Sequence, residues 1–336
     1  MKELSKHCAL AFGTLMLAGV ASPALAAESA SDATCPMFRW TTLGTAGGPI
    51  PTEERSEPAN LLDAGGMAIL VDTGDGTVGQ MARAGRSYGE IRNVFLSHLH
   101  LDHTAGLAAV IGLRWMNNHP GVLTIHGPPG TKELVDGIVA SMAPPARIGF
   151  GLGKPPAPAD GVKVVELADG AVTALGPLSV RAVANNHFDG AGNPAKAANA
   201  LAFSYRFTMG GRSITYTGDT GPDARVTALA KGTDMLVSEV IEVDRMVAVI
   251  KAQRPDLDDA ALAGTRTHFA THHVTPEEVG KMAAEAGAGR LVLTHYVIPG
   301  PLGMSARSLD AKVRASYSGP VDLSRDLSSY DLGCSK

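Results

Sequence analysis

The stretch Ser97–Gly106, SHLHLDHTAG, sets His98, His100, Asp102 and His103 within six residues of one another. Neutral imidazole and carboxylate are both ligands for divalent transition metals, and alternate residues of one loop can face one ion. This spacing therefore reads as a metal site rather than a solvated polar loop. The preceding IRNVFL is an apolar strand, and the following AGLAAVIGLRWM has helical spacing. The cluster thus sits on a loop at the C-terminal end of a buried strand, where rigid elements position chemistry in α/β chains.

Outward from this loop the pattern repeats. ANLLDAGGMAILVDTGDGT reads as two strands about AGG, the second ending near Asp72. LSVRAVANNH predicts a strand ending at His187, RSITYTGDTG a strand ending at Asp219, and RLVLTHY a last strand ending at His295. DMLVSEVIE predicts a strand carrying Glu239, and TPEEVGKMAAEAGA an amphipathic helix opened by Thr275 and Pro276. The Pro- and Gly-rich run Met142–Gly161 reads as a mobile surface loop near the site mouth.

These strand ends supply a full donor set. His98, His100 and His187 suit one metal. Asp102, His103 and His295 suit a second, and Asp219 can bridge the two. The pair would lower the pKa of a shared water. Two Zn2+ ions are expected, with Mn2+ or Fe2+ suiting the same donors.

The chain is 336 residues long, 45% hydrophobic and 18% charged, enough for one large core. Its formal net charge is -4, and no basic run occurs. Nucleic acid is held largely by Lys and Arg on phosphates, so no nucleic-acid partner is expected. The N-terminus carries Lys2 and Lys6, then a short apolar run, then Ala24–Ala26 as a small-residue cleavage site. This predicts a signal peptide over 1–26, a single domain over 27–336, and a periplasmic or secreted protein without stable membrane association. Cys35 and Cys334 near the two ends are equally readable as a disulfide or as free thiols.

HLHLDH, with His187, Asp219 and His295 following in order, resembles the metallo-β-lactamase superfamily from Met37 to Leu309. That resemblance implies an α+β fold, an αβ/βα four-layer sandwich, with Asp72 supporting the ligand loop from behind. TLGTAGGPIPTEERSEPANLL, TGDTGPDARVTALAKGTDMLVSEV and HHVTPEEVGKMAAEAGAGRLVLTH resemble its ribonuclease Z and arylsulfatase-like branch. In that branch a Glu–His pair protonates the leaving group. Glu239 and His273 match it, with His272 the competing histidine and His268 a further candidate for the pocket. Asp102 would orient the attacking hydroxide as well as bind metal. His119 and His126 read as structural or exposed. The short loop about Arg147 and Lys154 lacks the basic arm of ribonuclease Z. The expectation is thus an exported dinuclear zinc hydrolase of small anionic phosphate or sulfate esters, a phosphodiesterase or arylsulfatase, compatible with a homodimer. The alternative is a metal-dependent hydrolase of carboxylic esters, lactones or β-lactams.

Overall fold

The computed structural model describes residues 36–48, 50–149, 156–189, 195 and 199–333. The expected signal peptide, Cys35 and Cys334 lie outside them. Six strands and a late return strand form the first sheet: β1 (Phe38–Gly44), β2 (Ala59–Ala64), β3 (Met67–Thr73), β4 (Asn93–Phe95), β5 (Leu123–Gly127), β6 (Val162–Glu166) and β14 (Ser328–Asp331). The second holds β7 (Val172–Leu175), β8 (Leu178–Ala184), β9 (Phe203–Met209), β10 (Arg212–Tyr216), β11 (Met235–Ile241), β12 (Leu291–Val297) and β13 (Val321–Leu323). Their orders are β14-β1-β2-β3-β4-β5-β6 and β13-β12-β11-β10-β9-β8-β7. In each sheet a parallel run, β3 to β6 and β10 to β13, adjoins antiparallel strands.

The sequence patterns explain the layering. In β8, LSVRAVA buries Leu178, Val180, Ala182 and Ala184 against the other sheet and turns Ser179 and Arg181 to solvent. In contrast, β11 and β12 are buried along their whole length, as parallel strands covered on both faces must be. Trp40, Phe95, Phe207, Tyr216 and their neighbours fill the space between the sheets. Helices Leu107–Met116 and Thr131–Ser141 cover the outside of the first sheet. Helices Pro276–Ala286 and Leu302–Arg314 cover the second. The result is the expected four-layer α+β sandwich.

Several sequence expectations are corrected. The strands stop short of their ligands: β4 ends at Phe95, β8 at Ala184 and β10 at Tyr216. Beyond those points the backbone leaves its ladder to bridge neighbours, Phe203 N donating to Ser97 O at 2.8 Å across the two sheets. His295 lies inside β12 instead of at its end, and β13 and β14 follow it. Of the run expected as a mobile loop, residues 150–155 lie outside the described residues, and the rest holds helix Ala143–Ile148 and a 3-10 turn, Pro158–Gly161. Pro156 O accepts from Trp115 Nε1 at 2.8 Å, which ties Pro156 to helix Leu107–Met116. Among the described residues no helix is long and apolar enough to cross a membrane.

Candidate metal centre

Two β-bulges aim two of the site residues. In the β2–β3 ladder Ala59 pairs with Thr73 and Asn60 with Val71, so Asp72 has no opposite number. Between β11 and β12 Ser238 pairs with Leu293 and Val240 with Tyr296, so Thr294 and His295 face Glu239 alone. Bulges re-aim side chains beside active sites. Both Asp72 and His295 have positive φ, 58° and 43°, a conformation that side chains other than Gly adopt only when the surroundings impose it. Alternation along a strand would turn such residues to the wrong face; the bulges bring them inward.

Asp72 organises the HLHLDH loop from behind. Its Oδ1 accepts from Ser97 N at 2.7 Å, and its Oδ2 from Ser97 Oγ, Tyr216 OH and His103 Nδ1 at 2.8, 2.8 and 2.9 Å. A carboxylate only accepts, so His103 donates from Nδ1 and turns Nε2 toward the centre, where a metal would take it. His187 is fixed likewise: its Nδ1 donates to His272 O at 2.9 Å and leaves Nε2 bare. Tyr216 and Ser97 were not singled out from sequence. Only the hydroxyl on an otherwise apolar inward strand face signals Tyr216.

The structure gathers the predicted donors into two clusters sharing one carboxylate. His98, His100 and His187 form the first, with His98 Nε2 and His187 Nε2 lying 3.0 and 3.3 Å from His100 Nδ1. Asp102, His103, Asp219 and His295 form the second. Asp219 Oδ1 is 3.3 Å from His103 Nε2 and 3.2 Å from His295 Nε2, while its Oδ2 is 4.0 Å from His98 Nε2. Asp102 Oδ2 lies 3.4 Å from His103 Nε2 and 3.7 Å from His295 Nε2. Gly48 lets the chain pass here, because a Cβ on it would fall 2.2 Å from Asp102 Oδ2.

These donors fit two metal ions. Imidazole nitrogens converge within 3.0–3.3 Å of one another, and Asp219 Oδ1 is buried without a well-formed hydrogen bond. Converging lone pairs with a buried, under-satisfied carboxylate are what a cation would complete. The centre is accordingly a dinuclear metal site.

The clusters differ electrostatically. Burial drives His98 well below the ordinary histidine value, His187 down to about 3, and His100 lower as well. At the second cluster burial is outweighed by carboxylates. Asp219 and Asp102 raise His295 to about 9, and Asp219 with Asp72 and Asp102 holds His103 well above its usual value. Without metal the first cluster therefore favours neutral imidazole, ready to ligate, while the second favours the protonated form. Metal binding should displace more protons at the second cluster than at the first. Zinc affinity by chelator competition between about pH 6 and 8 should rise more steeply with pH at one site than at the other. Equal pH slopes at the two sites would overturn this asymmetry.

Beside the centre, Glu239 Oε2 accepts from His273 Nδ1 at 2.7 Å, and Glu239 Oε1 accepts from Thr220 N at 2.6 Å. Burial alone would lower His273, but Glu239 raises it above the ordinary value. His273 Nδ1 is 4.0 Å from Asp219 Oδ2. The two adjacent histidines point in different directions. His272 turns away, with Nε2 donating to Asp189 O at 2.6 Å and Nδ1 lying 2.8 Å from His268 Nδ1. His126 stacks on Phe95 and reaches Asn93 Oδ1 at 3.1 Å, and His119 packs edge-on to Tyr88; both are structural.

Comparison with known proteins places this geometry. A model of the β-lactamase superfamily domain matches residues 68–296. A ribonuclease Z of Mycolicibacterium paratuberculosis is 35% identical over 300 residues, covering 87% of this chain and 97% of the relative. The ribonuclease Z of Mycobacterium avium is 34% identical with the same coverage. Among solved structures, the metallo-β-lactamase fold protein YhfI of Bacillus subtilis superposes with a TM-score of 0.65 at 20% identity, covering 89% of this chain and all of that one. The short form of human tRNase Z gives 0.57 at 22% identity, covering 87% and 98%.

These relatives overturn two expectations. The relatives are named as ribonucleases, which runs against a phosphodiesterase or arylsulfatase of small anionic esters and against the exclusion of nucleic acid. The exclusion rested on whole-chain charge. Here the negative phosphate at the bond to be cut would be met by divalent cations, which net Lys and Arg counts do not register.

Proposed function

The chain belongs to the β-lactamase superfamily, in the branch of the ribonuclease Z proteins, and from that premise we propose that it is a zinc-dependent phosphodiesterase that cuts RNA. It is a metal-dependent hydrolase of ester bonds; the choice of RNA follows its named relatives. The observation that carries the reading is the Glu239–His273 pair beside a carboxylate that faces both metal clusters. Five imidazoles and two carboxylates favour zinc among the common divalent ions.

When bound, the two cations supply Lewis-acid neutralisation of phosphate oxygens and acidify water. The residues supply the rest. His98, His100 and His187 hold one side of the centre; Asp102, His103 and His295 hold the other; Asp219 spans both. Asp72 keeps His103 in the tautomer that presents Nε2. Asp102, only partly buried, is placed to orient the attacking water and accept its proton. As the oxygen of water bonds to phosphorus, the P–O bond to the leaving oxygen breaks. His273, whose protonated form Glu239 favours, gives that oxygen its proton from Nε2 and becomes neutral.

The test is cleavage of single-stranded and hairpin oligoribonucleotides by the zinc-loaded protein, read by gel. Cut RNA with single-site products is expected, and it should disappear with chelator and return with zinc. An enzyme that turns over bis(p-nitrophenyl) phosphate but leaves every RNA intact would remove the RNA part of the proposal.

A further inference from the structure

A cavity of about 420 Å³ opens beside the second metal cluster, within the range of about 300–1,000 Å³ usual for small-molecule sites. It shares backbone with the centre. Gly47 and Gly48 line it, Gly47 N donating to Tyr296 O at 3.0 Å, and Gly48 abuts Asp102. Tyr296, also in its wall, directly follows His295. The rest of the wall is largely apolar, with Ile50, Pro51, Met246, Val249, Ile298 and Pro299 prominent. Ile50 is 60% exposed there, and Leu101, between His100 and Asp102, is 73% exposed.

Its charges argue against a phosphate chain as occupant. The ionisable lining residues are Glu53, Glu54 and Arg55. The Arg55 side chain is only 4% exposed; its guanidinium reaches Gly300 O at 3.3 Å and lies 3.7 Å from Glu54. Two carboxylates and one buried, partnered cation repel a phosphodiester backbone but admit a neutral flat ring.

Resting on the RNA reading above, we infer that this cavity holds the nucleobase next to the scissile phosphate, so that RNA is gripped by apolar contact with its bases instead of by charge on its backbone. Proteins that hold single strands commonly use base contacts on flat or apolar side chains, at little cost in sequence tolerance. The inference explains how an enzyme with a net charge of -4 and no basic run takes an anionic polymer. The substrate class follows: an unpaired segment whose base is free to enter, rather than a continuous duplex.

Salt dependence tests it. KM for a single-stranded oligoadenylate should change less than about fivefold between 50 and 400 mM KCl, the change expected for one phosphate contact on a single strand. A change of several hundredfold, as about four contacts would give, overturns the inference. Ile50→Lys should raise KM about tenfold with kcat retained, whereas a fall in KM would show that phosphate is recognised there. The pocket is tested separately from RNA cleavage by adenosine, which carries no phosphate. Adenosine should inhibit hydrolysis of bis(p-nitrophenyl) phosphate competitively, and more weakly in Ile50→Lys. No inhibition up to the solubility of the nucleoside overturns the pocket even if RNA is cut; inhibition without RNA cleavage keeps the pocket and removes the RNA reading.

Discussion

Asp219→Ala should lower kcat/KM on any phosphodiester by at least about a thousandfold, near 4 kcal/mol of transition-state stabilisation. One carboxylate is the junction of the whole site. Its Oδ1 is 3.3 and 3.2 Å from Nε2 of His103 and His295, and its Oδ2 faces Nε2 of His98 and Nδ1 of His273 at 4.0 Å. Asp102 is the other carboxylate of the two clusters, so the substitution removes half of their anionic charge. Asp219 is also what holds His295 up to about 9. Its loss should therefore shrink the proton release expected at the second cluster. Asp219→Asn separates shape from charge, because the amide keeps the size but cannot neutralise two cations. Metal content after dialysis and steady-state kinetics check both variants. A variant that keeps two metal equivalents and activity within tenfold of the parent would show that the clusters do not depend on a shared ligand.

Much of the centre was legible because its donors are rare residue types at fixed offsets. HLHLDH has one reading in a strand–loop–helix setting, and the single histidines and aspartates near later strand ends were few enough to assign. What stayed illegible was geometry that residue type does not encode. Strand periodicity put His295 at the end of β12, whereas the bulge opposite Glu239 lets the strand run on to Val297. Propensity cannot show a bulge, since it arises from pairing with a partner strand distant in sequence. The same limit hid Tyr216, whose hydroxyl reaches Asp72 across the core at a separation of 144 residues. The choice between His272 and His273 turned on which ring follows the helix end. His272 closes the helix Asp259–His272, and His273 sits just past it in extended backbone, swung toward Glu239. The substrate was misread for another reason. Composition averages charge over the chain and does not register the charge that metal ions would bring to the His and Asp clusters.

His273→Ala should lower RNA cleavage by about a hundred- to ten-thousandfold, the range for loss of a positioned proton donor. Hydrolysis of bis(p-nitrophenyl) phosphate should fall by less than about tenfold, because nitrophenolate leaves without needing a proton. That split distinguishes a proton donor from a residue that only shapes the site, which would depress both substrates alike. Glu239→Gln gives the second half of the argument. The Gln amide can still accept from His273 Nδ1, but it lacks the charge that raises His273. His273 acts as the acid, so activity is lost as pH rises through its pKa. Lowering that pKa must move the alkaline limb of the RNA rate profile to lower pH, while the limb for the nitrophenyl ester stays in place. His272→Ala is the comparison. It keeps the backbone carbonyl that orients His187 and should leave the leaving-group dependence unchanged. Equal losses on both substrates in His273→Ala, or an alkaline limb that stays fixed in Glu239→Gln, would transfer the proton to another group and leave the pair a support for Asp219.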